Sequence, residues 1–286
     1  MAHAVERVCR KITSFLSKST LFRNVVENAR IQIHNSNNPD MKTNGESFLS
    51  EKLLSIMDGD SIVLDVGTNE GDYIDLLLTN DFQFLGKIVA IDPLAENIRS
   101  ARNRFSDHIN SVIYVESAAT DFDGEVDFYK HVDRRFSGGD SLKPMTEIGF
   151  ENESNKVTVQ ASKLSTIVYK NFTDVELLKA KIFFCKIDVE GAELLVLKGA
   201  TELLESEHGI NVIQFEFGLS SRAFRTYFWD IYSFLKGFNF EIYILYPDHL
   251  KLIEEAVSID LNYPYGNFVA IKKNLIPELK KSVLHV

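Results

Sequence analysis

"VLDVGTNEGDYIDLLL", residues 63–78, is the stretch that decides the fold. An apolar, β-branched run stops at Asp65, turns through Gly67 and Gly71, and restarts with apolar residues at helical spacing. That pattern is a strand, a tight turn and a helix. Outward from it, β-branched runs recur at 61–66, 87–92, 112–117, 182–187, 212–217, 240–245 and 267–271, with helical patterns at 71–80, 94–106, 192–205 and 223–236. Such alternation predicts an α/β fold, a seven-stranded, mostly parallel sheet with helices on both faces. Residues 124–160 break the rhythm: GEVDFYKHV and NKVTVQASKL read as extra strands around the Gly-rich RRFSGGDSLKP. This is a β insertion after the third strand, of the kind that carries function on α/β scaffolds.

Residues 1–34 scatter apolar positions among Arg and Lys and predict one or two amphipathic helices, a packing or oligomer arm. Residues 35–45 are turn-rich and read as a linker, so the expected division is a helical extension over 1–43 and one globular domain over 44–286. A hydrophobic content of 45% with 21 Phe suffices for a sizeable core. The net charge of −10 disfavours a nucleic-acid partner. Cys9 and Cys185 lie far apart and read as reduced thiols of a cytoplasmic protein, not as a disulfide or metal framework. No stretch approaches a membrane span, and the N-terminus lacks the apolar segment of a secretion signal.

In an open parallel sheet, ligands bind beyond the carboxyl ends of the strands, where the strand order reverses. A dinucleotide fold shows G-x-G-x-x-G there, whereas this turn reads D-x-G-x-x-x-G, with Glu70 and Asp72 flanking the second glycine. Those charges repel a diphosphate and suit a cationic amine or sulfonium. Asp92 ends the second strand, where a carboxylate can accept both hydroxyls of a ribose. Together the two strand ends favour an adenosine-bearing ligand without phosphates, and S-adenosylmethionine is the candidate.

Several ordered segments carry a resemblance: NGESFLSEKLL (44–54), DVGTNEGDY (65–73), AIDPLAEN (90–97), ESAATDFDGEVDFY (116–129), KIDVEGAELLVLKGA (186–200) and VIQFEF (212–217). Over roughly residues 42–272 the chain resembles the Rossmann-like class I S-adenosylmethionine-dependent methyltransferases, in particular the FkbM-type family. It departs from that pattern at Thr68, where Ala is usual, and at Asp92, where Glu is usual. The resemblance implies that Asp65, Gly67, Asn69 and Gly71 surround the methionine part of the cofactor. It also implies that Asp92 holds the ribose and that Ala119 and Asp121 lie beside the adenine. Glu46 either reaches the cofactor amine or is a helix N-terminal carboxylate favoured by the dipole.

Methyl transfer to a hydroxyl needs alignment, exclusion of water and a group that takes the proton. Asp188 and Glu190 follow the fourth strand, with Glu193 on the next helical turn. Close carboxylates raise one another's pKa, which suits a base near neutrality. The alternative is that Asp188 or Glu190 caps that helix. Glu216, between two Phe in an apolar strand, needs a partner if buried. Resemblance to metal-assisted O-methyltransferases suggests a variant in which Asp188 and Glu216 coordinate Mg²⁺, for which the sequence offers no third ligand. His131 is either a base or a solvent-exposed loop histidine. The aromatic run at 223–238 reads as a helix packed into the core. The function implied is O-methylation of a small-molecule hydroxyl, on a sugar or a glycosylated or polyketide-like metabolite. A non-catalytic cofactor-binding module and a nicotinamide oxidoreductase are the alternatives.

Overall fold

Three strands, β1 (Ile62–Val66), β7 (Phe183–Ile187) and β8 (Val212–Phe217), are buried along their whole length, and they form the middle of the molecule. A strand covered on both faces must be apolar throughout, which is why these runs do not alternate. The structure is a computed structural model and describes residues 16, 18–33, 35–79, 84, 86–108, 110–132, 139–149, 154–180, 183–256, 259, 265–275 and 277.

The remaining strands are β2 (Lys87–Asp92), β3 (Val112–Glu116), β4 (Ala118–Thr120), β5 (Gly124–His131), β6 (Ser154–Lys163), β9 (Phe240–Leu245), β10 (Leu250–Leu252) and β11 (Gly266–Lys272). The helices are α1 (Thr20–Ile33), α2 (Glu46–Leu54), α3 (Asp72–Leu78), α4 (Ala95–Arg104), α5 (Leu164–Asn171), α6 (Asp174–Lys179), α7 (Glu193–Gly199), α8 (Thr201–Glu205) and α9 (Phe228–Gly237). The main sheet runs β10-β9-β11-β8-β7-β1-β2-β3. β1 pairs in parallel with β2 on one side and β7 on the other, so the order reverses beside β1. Helices cover both faces. Ile62, Leu64 and Val66 pack into one core layer and Val63 into the other, as the two-residue strand period requires. Rings of Phe215, Phe217, Phe228 and Phe268 meet at 4.6–6.5 Å and lock β8, α9 and β11 together.

The expected seven-stranded, mostly parallel sheet is corrected in detail: the described residues build eight strands of mixed direction. β11 is antiparallel to both β8 and β9, and β10 is antiparallel to β9. β10 has three residues, too few to show a period. The inserted β5 and β6 pair antiparallel and join β4 in a second, three-stranded sheet.

Three other expectations change. The 35–45 stretch is an ordered strap across the sheet end: the Asn35 amide donates to the carbonyls of Asn44 (2.7 Å) and Leu245 (2.9 Å). The helix expected over 192–205 divides at Ala200. The helix expected from residue 223 begins only at Phe228, because Arg225 sits in the left-handed region (φ 55°) and the Asp230 carboxylate caps the Tyr227 N–H (2.8 Å). Tyr227 and Trp229 are consequently 56% and 50% exposed, while Phe228, Ile231 and Leu235 face the core. Of the N-terminal arm, α1 is described and exposes Leu21, Val25 and Val26; residues 1–15, Cys9 among them, lie outside the described residues. Cys185 is free and buried. Among the described residues no helix is long and apolar enough to cross a membrane.

Candidate active site

Beyond the carboxyl ends of β1, β2 and β7 lies a partly open cavity. Gly67 and Asn69 line it from the turn after β1, and Asp92, Pro93 and Asn97 from β2 and α4. Ser117, Ala118 and Ala119 come from the β3–β4 corner, Phe128, Asp140 and Leu142 from the insertion, and Asp188, Val189 and Glu190 from the turn after β7.

The glycines that opened the sequence reading answer to the protein itself. A Cβ on Gly67 (φ 83°) would lie 1.8 Å from the carbonyl oxygen of Asp188, so the turns after β1 and β7 touch backbone to side-chain position. A Cβ on Gly71 (φ 87°) would meet the Phe105 ring at 2.6 Å. Gly71 does not line the cavity. The electrostatic expectation also needs correction. Asp72 is exposed and ion-paired with Arg104 (2.6 Å), and Glu70 is exposed outside the cavity wall, so neither charge acts on a ligand there. The cavity is nevertheless acidic, through Asp92, Asp140, Asp188 and Glu190.

Asp92 is held rigidly. Its Oδ1 accepts from the Leu94 N–H (2.9 Å) and the Asn97 amide (3.0 Å), and its Oδ2 from the Asn69 N–H (3.0 Å). Burial pushes its pKa up to about 6, against the lowering effect of those donors. A carboxylate has about four acceptor positions, so three donors still leave room for a ligand hydroxyl.

Asp65 and Glu46 are buried and do not line the cavity. Asp65 Oδ2 accepts from Thr68 (2.6 Å), and burial raises its pKa despite Lys186 and Thr68. Glu46, the first residue of α2, accepts from Gln214 (2.6 Å) and Asn44 (2.8 Å). Between these carboxylates sits Lys186, buried, with its Nζ 3.0 Å from Asp188 Oδ2 and over the Tyr73 ring. Burial works to lower the Lys186 pKa, but Asp188, Asp65 and Glu46 outweigh it and hold the ammonium charged.

At the β7 end the carboxylates crowd. Burial first, then Asp188, Glu193 and Asp140, push Glu190 up to about 8. Its backbone is left-handed (φ 52°), a costly conformation for a residue with a side chain, and its carbonyl accepts from Ser141 (2.8 Å). The helix-capping alternative fails for both candidates: α7 is entered through Ala192 with no side-chain cap. Glu193 instead turns back to accept from the N–H groups of Gly191 (3.1 Å) and Val189 (3.3 Å), and burial sets its pKa at about 7. Glu216 is buried next to this cluster with Tyr265 as its hydrogen-bond partner. Burial, then Asp188, Glu190 and Glu193, raise its pKa well above the usual range.

His131, expected on an exposed loop, is buried at the end of β5 with its ring against Gly139, and its N–H donates to Asp140 (2.6 Å). Ala119 lines the cavity, whereas Asp121 is exposed in the turn after β4 and does not. Residues 133–138 of the Gly-rich segment, Ser137 among them, lie outside the described residues. Asn97, Phe128, Asp140 and Lys186 escaped the sequence reading. Asn97, on the first turn after Asp92, and Phe128, in a strand pattern, carried a usable signal; Asp140 carried none. Among the described residues no group of three or more His, Cys, Asp or Glu is disposed to hold a metal ion, and Asp188 is committed to Lys186.

A reversal in strand order beside β1, with an acidic cleft above it, marks where a ligand binds in such a sheet and suits a cationic one. A model of the methyltransferase FkbM domain matches residues 65–242, more than half of the chain, and the protein belongs to that family. A comparison with curated proteins gave no match. Among solved structures, an FkbM methyltransferase from Methylobacillus flagellatus is similar at 14% identity, with a TM-score of 0.45. That match covers 76% of this chain and 45% of that one, so the chain spans less than half the length of that protein. An S-adenosylmethionine-dependent methyltransferase from Aquifex aeolicus is similar at 15% identity and a TM-score of 0.41, covering 82% and 94%. A putative rRNA methylase from Clostridium thermocellum follows at 10% identity and a TM-score of 0.43, covering 80% and 96%.

Proposed function

We propose that this protein transfers a methyl group from S-adenosylmethionine to a hydroxyl of a small molecule, a sugar or a glycosylated or polyketide-like metabolite. The observation that carries the reading is the pairing of an acidic cavity with a raised-pKa carboxylate, Glu190, on its wall. When bound, S-adenosylmethionine supplies a methyl carbon on a positively charged sulfur. Asp92 accepts a ribose hydroxyl at its remaining position, while Ala119 and Phe128 flank the adenine. Gly67 and Asn69 bound the methionine part, and Asp188, oriented by Lys186, sets the negative field at the sulfonium end.

Glu190 takes the proton as the acceptor oxygen forms its bond to the methyl carbon and the carbon–sulfur bond breaks; the products are a methyl ether and S-adenosylhomocysteine. A base with a pKa near 8 is matched to proton transfer close to neutral pH. His131, Glu216 and Glu193 surround this step as supporting groups. The 44–286 segment forms the catalytic unit and 1–43 an extension that can mediate self-association.

The test is transfer of labelled methyl from S-adenosylmethionine to a panel of hydroxylated metabolites, with calorimetric titration of the donor. Donor binding without transfer to any acceptor would favour a non-catalytic module. Binding of NADH in its place would favour an oxidoreductase.

A further inference from the structure

We propose that the groove between α7 and α9 binds an anionic group of the acceptor, a carboxylate, sulfate or phosphate carried away from the hydroxyl that is methylated. The proposal rests on the methyl-transfer reading above. The groove is lined by Lys143, Lys198 and Arg225, with Phe224 and Phe234 as apolar walls. In a chain of net charge −10, beside a cavity lined by carboxylates, three cations in one groove run against the prevailing sign.

Those charges are not used internally. Among the described residues Lys198 and Arg225 make no ion pair. The Lys143 ammonium meets only the Ala223 carbonyl (3.1 Å) and the face of Phe224 (5.4 Å to the centroid). The one carboxylate in the groove wall, Asp230, accepts from the Tyr227 N–H at the start of α9. Arg225 holds a left-handed backbone, a local cost that proteins retain chiefly at functional positions.

The groove also adjoins the reaction centre. Gly191, next to Glu190, lines the groove, and Leu142, next to Lys143, lines the cavity. An acceptor whose hydroxyl faces Glu190 can therefore extend over Gly191 toward the cations. A guanidinium and two ammonium groups suit a charged oxyanion better than a neutral ring.

The test uses the full chain saturated with S-adenosylhomocysteine and three sugar probes: neutral methyl glucoside, glucuronate and glucose 6-phosphate. Titrations followed by ligand-observed NMR should show the two anionic probes binding about tenfold more tightly than the neutral one, a preference that shrinks as salt screens it. K198E/R225E should remove the preference, and K198R/R225K should keep it. Both residues are exposed, and S-adenosylhomocysteine affinity should be the same in all three proteins. Equal affinity for charged and neutral probes, no binding of either anionic probe, or a preference that survives K198E/R225E would overturn the proposal. Failure of the unaltered protein to bind S-adenosylhomocysteine would instead overturn the methyl-transfer reading beneath it.

Discussion

The two ends of the cavity are built on opposite plans. At the β2 end a single carboxylate, Asp92, is met by three N–H donors from Leu94, Asn97 and Asn69, which hold its pKa to about 6 against burial. At the β7 end Asp188, Glu190, Glu193 and Glu216 crowd together, and burial with the neighbouring carboxylates raises the pKa of Glu190, Glu193 and Glu216. One end resembles a socket already shaped for its ligand. The other holds like charges and a left-handed Glu190, an arrangement with stored repulsion that an incoming cation relieves. In the proposed reaction, that difference separates recognition from proton transfer within one cavity.

The largest expected effect tests whether the two ends are mechanically joined. Gly67→Ala places a methyl group against the Asp188 carbonyl and should destabilise the fold by more than about 3 kcal/mol in urea unfolding. Unchanged stability with weakened donor binding would mean that the glycine serves the ligand alone. Next, Glu190→Gln should lower kcat by roughly 10²–10⁴-fold, leave donor affinity within about tenfold, and flatten the rise of activity with pH up to about 8. An unchanged pH profile would remove Glu190 from the proton transfer.

Asp92→Ala should weaken S-adenosylmethionine binding by roughly 10–100-fold with little effect on acceptor affinity, read by calorimetry. Loss of kcat at saturating donor instead would erase the division between the ends. The smallest effect is on stability. Asp92, Glu190 and Glu193 have folded pKa values of about 6, 8 and 7, above those of the unfolded chain, so the fold binds more protons than the unfolded state in this window. Their stabilising contribution is complete below the ordinary carboxylate range and is lost as pH rises to about 8. The Tm of the ligand-free protein should therefore fall by several degrees between pH 5 and 8, and less steeply in Glu190→Gln.

The parallel strands and the site's position above β1 were legible because buried strands and glycine turns leave local signatures in Ile62–Val66 and Gly67–Gly71. What escaped was set by contacts between distant segments. Arg104 removes Asp72 and Asp75 from any dealings with the cavity, and nothing near either aspartate announces that pairing. Asp140 reaches the cavity only because β5 and the Gly139 turn bring it beside His131. The late start of α9 follows from the Arg225 backbone, which helical periodicity does not register. Glu193 looked like one more carboxylate in a cluster, yet it is the residue that receives the N–H groups of the turn.

The contact between Gly67 and the Asp188 carbonyl has a practical bearing on redesign. Synthetic donors carrying bulkier alkyl groups than methyl need extra room near the sulfur, and the obvious place to carve it is the turn after β1. That turn abuts the segment presenting Asp188 and Glu190, so widening it would displace those carboxylates as well. Variants intended for larger alkyl chains should instead trim Leu142, which lines the cavity from the insertion and not from the turns after β1 and β7.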